Sequence, residues 1–264
     1  MAGNLNNLSV IITRPAHSAD ELSDMILAHA GRCTNLPLFA IETTLSAELL
    51  QKIALNLQQN CLVLCVSRNA AEQVLPNVAV TSNLQWAAIG PATAKYLQKY
   101  NIQNIIYPST PPYDARSLVL ELQLKSINLK NLCIMILTGE QGDGWLAEEL
   151  QGSGAIVEVM PVYRRVMPQI SCTQFKKIVS TLVAPAVFVI TCVTSLVNLQ
   201  ILAAKSGINV YNMSLLVVSK RIHTYAMVQG FVNIYIAKSA IAADILSALL
   251  EIGEINVRTT TAGC

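Results

Sequence analysis

The chain has 264 residues, 53% of them hydrophobic and only 13% charged, with a formal net charge of +2. That length accommodates two domains of about 100 to 150 residues, and the near-neutral balance excludes the basic field that nucleic acid binding needs. The longest uncharged stretch, 178–204, has 27 residues. It is long enough to cross a bilayer. Yet Pro185, Thr191, Thr194, Ser195, Asn198 and Gln200 interrupt it, so it reads as a buried strand followed by a helix and not as a membrane span.

Strand candidates follow in chain order at 8–12, 32–36, 61–66, 86–89, 103–107, 132–137, 155–159, 186–191, 215–218 and 233–236. Most are continuous apolar runs, the pattern of parallel strands covered on both faces. Between them 18–30, 91–100 and 240–251 carry helical spacing, and Pro91 suits a first helical turn. The alternation predicts an α/β protein with five strands per lobe. The stretch from Gly253, with Thr259, Thr260 and Thr261, has no core pattern and is expected to be mobile. The first residues show neither a basic n-region nor an apolar h-region, so a cytoplasmic protein is expected. Seven cysteines without a Cys-x-x-Cys pair suit free thiols in a reducing compartment. His17, His29 and His223 are isolated in sequence, so no metal site is expected.

One pattern occurs twice. Gly31 to Phe39, containing Leu36-Pro37-Leu38, is echoed by Ala155 to Tyr163, containing Met160-Pro161-Val162, at an offset of 124. Ala88 to Tyr107 is echoed by Val217 to Ile236 at an offset of 129, with Tyr96 over Tyr225, Asn104 over Asn233 and Ile105 over Ile234. Two similar lobes follow, and paired lobes commonly work on something held between them. The repeats leave open whether each short strand-helix-strand unit joins the αβ block after it or the other one. Pro37 and Pro161 mark where the chain would cross between lobes.

Several short pieces at strand ends form an ordered set: Thr13-Arg14-Pro15, Val66-Ser67-Arg68-Asn69-Ala70, Ala88-Ile89-Gly90-Pro91-Ala92-Thr93-Ala94, Leu137-Thr138-Gly139-Glu140-Gln141-Gly142, Pro161-Val162-Tyr163-Arg164-Arg165 and Leu216-Val217-Val218-Ser219-Lys220-Arg221. In their order and spacing, from about Leu8 to Leu250, the chain resembles the uroporphyrinogen-III synthase family. The resemblance implies two flavodoxin-like (Rossmann-like) lobes with parallel sheets joined by a two-stranded linker. It implies a discontinuous first domain of residues 1–36 and 169–264, a second of 37–168, linker strands near 38–43 and 162–167, and a site in the cleft between the lobes. The implied reaction is dehydration and cyclisation of the linear tetrapyrrole hydroxymethylbilane with inversion of its last ring, without a cofactor. The expected partners are that substrate and, as a further candidate, the upstream enzyme that makes the bilane; a monomer is expected.

A substrate with eight carboxylates on a chain of charge +2 calls for anion binding without side-chain charge, which backbone N–H groups at helix N-termini supply. Loops after parallel strands provide them. Hydroxyls at Thr13, Ser67, Thr93, Thr191 and Ser219 add donors, and Arg14, Lys220 and Arg221 add local positive charge. Asn69 and Gly139, within two of the matched pieces, complete the expected substrate-binding set. Tyr163 matches the family's tyrosine and is the expected proton donor to the leaving hydroxyl, with Arg164 or Arg165 near enough to make the phenol a stronger acid. The plainer alternatives are packing for Tyr163, as for Phe39 at the repeated position, a solvated or capping Arg14, and N-cap roles for Ser67 and Thr93.

Some positions depart from the family. Thr138 and Asp143 stand where members usually carry arginines around the glycine loop, Cys192 replaces a frequent serine, and Ile222 replaces a threonine seen in many second-lobe repeats. Gly139, Gly142 and Gly144 mimic a phosphate loop but lack its lysine and its Gly-x-Gly-x-x-Gly order. The rival functions are a noncatalytic two-lobed small-ligand-binding protein and a nucleotide-dependent oxidoreductase, whose glycine fingerprint is missing.

Overall fold

A computed structural model describes residues 4–15, 19–59, 61–80, 84–142, 144–183 and 185–261, those from 256 onward as backbone only. Among these, ten strands follow in chain order: β1 (Ser9–Ile12), β2 (Arg32–Asn35), β3 (Ala40–Thr43), β4 (Leu62–Cys65), β5 (Gln85–Ala88), β6 (Cys133–Gly139), β7 (Ile156–Val166), β8 (Ala186–Ile190), β9 (Ser214–Val217) and β10 (Ile234–Ile236). Ten α-helices alternate with them: α1 (Asp20–Ala28), α2 (Ala47–Asn56), α3 (Arg68–Val74), α4 (Pro91–Gln98), α5 (Ala115–Leu124), α6 (Trp145–Gly152), α7 (Cys172–Ser180), α8 (Val193–Ser206), α9 (Lys220–Val228) and α10 (Ala242–Thr261). The chain divides into two units, residues 1–40 with 166–264, and residues 41–165.

The discontinuous unit holds a sheet in the order β10-β9-β8-β1-β2. Its neighbours all pair in parallel. Counted within the unit this is the doubly wound flavodoxin-like order 2-1-3-4-5. Alternation along β1 explains why helices cover both faces. Val10 and Ile12 pack with Leu22, Ile26, Ile245 and Leu249, while Ile11 faces Phe175, Leu196 and Leu199. A continuous apolar run is therefore what such a strand needs.

The second sheet runs β3-β7-β6-β4-β5. Val63 and Cys65 of β4 join Trp86, Met135 and Leu137 on one face, and Leu62 and Leu64 join Leu118, Leu122 and Leu150 on the other. Taking β7, β6, β4 and β5 as counterparts of β2, β1, β8 and β9 repeats the order of the first unit, in line with the sequence offsets of 124 and 129.

Three expectations change. The strand expected at 103–107 is reduced to an isolated bridge between Ala87 and Ile106, held by Ile106 N–H to Trp86 and Ala88 N–H to Ile106. Asn104 before it has φ +53°, and Pro108 after it cannot donate to a ladder. The segment expected as a strand at 155–159 plus a ladder strand at 162–167 is a single strand, β7, running through Pro161; β3, inside the expected 38–43, lies beside it. The stretch from Gly253 is helical, because α10 continues to Thr261. Ile252 is buried one turn after Leu249, and Gly253 lies against the backbone of Asn4 and Leu5. Once those turns are fixed, each further residue extends the helix at little cost.

Candidate active site

Residues at the carboxyl ends of the parallel strands gather within each unit. In the discontinuous unit these ends carry Thr13 and Arg14 after β1, Thr191 after β8, and Ser219, Lys220 and Arg221 after β9, on three adjacent strands. Thr13 is fully buried, and its hydroxyl donates to the Val189 carbonyl at 2.7 Å, so in this structure it ties β1 to β8. Burial pushes the Arg14 guanidinium pKa down, with Glu21 acting the other way. Ser219 caps α9 by accepting from Ile222 N–H at 3.4 Å. Lys220 and Arg221 beside it are exposed. Cys192, in place of the frequent serine, occupies the N-cap of α8 without a side-chain capping bond and lies 3.3 Å from Ser195 Oγ. Ile222 is buried in α9.

In the second unit the strand ends carry Ser67 and Asn69 after β4, Thr93 after β5, Gly139 closing β6, and Tyr163 on β7. Three of these touch. The register between β6 and β7 slips between Thr138, opposite Pro161, and Gly139, opposite Tyr163. Val162 is the extra residue of this bulge. Strict alternation would aim Tyr163 to the same side as Pro161; with the bulge, both Val162 and Tyr163 enter the cluster of Met135, Leu137 and Met160. The ring then lies over Gly139, where a Cβ would come within 2.7 Å of Tyr163 Cζ and 3.0 Å of its oxygen. Ser67, capping α3 by accepting from Ala70 N–H at 3.0 Å, donates to Tyr163 Oη at 3.1 Å.

Arg165, two residues along the strand, completes the cluster. Its Nη2 donates to Tyr163 Oη at 3.4 Å, and its guanidinium carbon stands 5.8 Å from the ring centroid. Arg164 points away and pairs with Glu42. Of the two arginines named from sequence, the period-2 alternation of a strand selects Arg165, because positions i and i+2 share a face. The hydroxyl of Tyr163 thus accepts two bonds and gives its own proton to none of the described residues. Asn69 is half-buried on α3, and Thr93 is buried in the first turn of α4. Neither side chain makes a hydrogen bond among the described residues.

A feature that the sequence reading missed lies next to Gly139. A cavity of about 270 Å³ is lined by Val66, Ile89, Ile136, Thr138, Leu146 and Pro161, among others. Its walls are mainly apolar, with Gly144, the uncapped N-cap of α6, at one side. The signal was present in the apolar residues immediately before each loop, but only the sheet order brings β4, β5 and β6 together. Thr138 Oγ1 is 3.3 Å from the Gly139 carbonyl; Asp143 lies outside the described residues, as do His17 and Cys264. Among the described residues no group of three or more His, Cys, Asp or Glu is placed to hold a metal. No described helix is long and apolar enough to cross a membrane.

Removing the Ser67 hydroxyl takes away one helix cap and one donor to Tyr163. Ser67→Ala is expected to cost about 0.5 to 2 kcal/mol, the scale of a lost cap or hydrogen bond. Thr93 makes no such bond among the described residues and α4 is entered at Gly90, so Thr93→Ala is expected to leave stability nearly unchanged and to report only on a contact with bound substrate. Turnover rates and thermal unfolding of the folded variants measure this, and total inactivity of a well-folded Ser67→Ala chain would show one side chain dominating the site.

Two doubly wound sheets with donor-bearing loops at their strand ends define a two-unit α/β protein of the kind that binds ligands at the carboxyl edge of its sheets. Residues 20–247 match the family model described as uroporphyrinogen-III synthase HemD, and the chain belongs to this family, the cyclising lyases of heme biosynthesis. Solved structures agree at the level of fold. Uroporphyrinogen-III synthetase from Helicobacter pylori is 14% identical, with 93% of this chain and 99% of that one covered at a TM-score of 0.63. A mutant uroporphyrinogen III synthase from the extreme thermophile Thermus thermophilus is 14% identical, with 94% and 99% covered at a TM-score of 0.55.

Proposed function

We propose that the family reaction, cyclisation of hydroxymethylbilane to uroporphyrinogen III, is carried out by this chain with Tyr163 as the proton donor to the departing hydroxyl. The observation that supports this assignment is the Tyr163 hydroxyl, whose oxygen accepts from Ser67 and Arg165 and which gives its proton to none of the described residues. Loss of the hydroxyl as water leaves an azafulvenium cation; the last pyrrole attacks through its substituted carbon, and the spiro intermediate fragments and recloses with the ring inverted. The enzyme's tasks are protonation, stabilisation of spread positive charge and control of which carbon is attacked.

The substrate carboxylates are held by backbone donors at the helix starts after β1, β4, β5, β6, β8 and β9. Hydroxyls of Thr93, Thr191 and Ser219, the amide of Asn69 and the charges of Arg14, Lys220 and Arg221 assist, and Gly139 allows close approach; Thr13 and Ser67 give their protons within the protein, to the Val189 carbonyl and the Tyr163 hydroxyl, and act by holding the strand ends in place. Lys220 and Arg221 have the strongest support, since both are exposed at the start of α9. The decisive experiment supplies freshly made hydroxymethylbilane and separates the oxidised porphyrin isomers. Isomer III well above the spontaneous isomer I background is expected; isomer I alone would overturn the assignment.

The same reading makes the chain a monomeric cytoplasmic enzyme that takes its bilane from the enzyme forming it. It also takes residues 1–36 with 169–264 as one folding domain and 37–168 as the other. An isolated fragment of 38–165 is then expected to be soluble and to unfold cooperatively, since its sheet and both flanking clusters come from within that span. Thermal unfolding tests this, and a disordered fragment would count against the layout.

A further inference from the structure

Cys61 precedes β4 and Cys133 opens β6, two strands that pair in parallel from Leu62 opposite Ile134 onward. One step back along that register sets Cys61 opposite Cys133. Their side chains leave the same face, because Cys61 packs with Val63 and Cys65, and Met135, two residues after Cys133, belongs to the same cluster. Neighbouring strands are about 4.7 to 4.9 Å apart, inside the range of roughly 4.4 to 6.8 Å between Cα atoms that a disulfide spans. Both thiols are free. Burial, with the Cys133 thiol adding to it, pushes the Cys61 thiol pKa up. Cys133 is exposed and Cys61 buried, its Sγ donating to the Asn56 carbonyl at 3.1 Å.

We propose that Cys61 and Cys133 form an oxidant-responsive dithiol that hydrogen peroxide closes into a disulfide across the amino ends of β4 and β6. The exposed Cys133 thiol meets the oxidant first, taking one peroxide oxygen to become a sulfenic acid while the other leaves as water. Cys61 releases the Asn56 carbonyl and its sulfur attacks that of Cys133. The S–O bond breaks, and the oxygen departs as a second water carrying the Cys61 proton. Two thiols thus lose two hydrogens and one peroxide becomes two waters. The bond would join residues 72 apart in sequence, at the end of the sheet away from Ser67, Gly139 and Tyr163, and it stands independently of the tetrapyrrole reading.

The test treats the full chain with dilute hydrogen peroxide and maps nonreduced peptides by mass spectrometry. A Cys61–Cys133 cross-linked peptide is expected, reversed by dithiothreitol and absent from both Cys61→Ser and Cys133→Ser. Phenylarsine oxide, which captures paired thiols, checks the native pair without oxidation; about one equivalent should bind the untreated chain, with capture lost in Cys133→Ser and kept in Cys172→Ser. Oxidation of Cys133 to sulfinic acid without a cross-link, or capture that survives in Cys133→Ser, would overturn the proposal.

Discussion

Tyr163→Phe is expected to fold like the parent chain and to form isomer III about 10²- to 10⁴-fold more slowly, the range lost with a general acid. The ring is 2% exposed, and phenylalanine keeps its packing over Gly139 and among Met135, Leu137 and Met160. Only the oxygen that accepts from Ser67 and Arg165 disappears. Burial alone suits a packing residue, as Phe39 suggests at the repeated position. The two donors converging on the hydroxyl are what a packing role does not need. Single-turnover rates of isomer-III formation on the folded variant discriminate: a loss under about threefold removes Tyr163 as the acid and leaves control of substrate conformation as the source of catalysis.

Gly139→Ala is the second large effect expected. Its Cβ would lie 2.7 Å from Tyr163 Cζ and 2.9 Å from Cε2, closer than packed carbons approach. The ring is hemmed in on its own face by buried neighbours, and Glu140 N–H holds the Tyr163 carbonyl at 2.9 Å. Overpacking of this kind costs about 1 to 3 kcal/mol of stability. Displacement of the ring also breaks the contact with Ser67, so activity should fall by an amount comparable to Tyr163→Phe even where the protein remains folded. Melting temperature and isomer-III rate together check this. A variant with unchanged melting and full activity would show that the ring relocates freely.

The layered α/β architecture was legible because its carriers are local: apolar runs, loop residues after each strand, and a repeated pattern at two offsets. Where the reading slipped, a nonlocal contact decided. Nothing in 103–107 alone reveals that only Ile106 will pair, and the continuation of α10 depends on the distant Leu5 segment. The site was partly visible. Ser67 and Tyr163 could be named from their motifs, yet their contact across 96 residues of chain depends on a bulge at Val162 that alternation would deny. Arg165 was half visible, distinguishable from Arg164 once residues 162–166 are known to be extended. Thr13 shows the opposite limit, since a hydroxyl at a strand end looks like a ligand donor until the neighbouring Val189 carbonyl is in place to accept it.

The placement of β1 next to β8 has a consequence for synthesis on the ribosome. β1 is wholly apolar after Ser9, fully buried in the finished sheet, and flanked by β2 on one side and β8 on the other. β2 emerges soon after it, but Ala186, the first residue of β8, comes far later. At about 5 to 20 residues per second, the nascent chain carries an open, sticky strand edge for on the order of ten seconds or more while the whole 41–165 unit is made and can fold. β1, made well before the strand that completes its pairing, is therefore among the last to be closed in, and the interval is a window in which a chaperone that shields apolar strands would raise the yield of active protein.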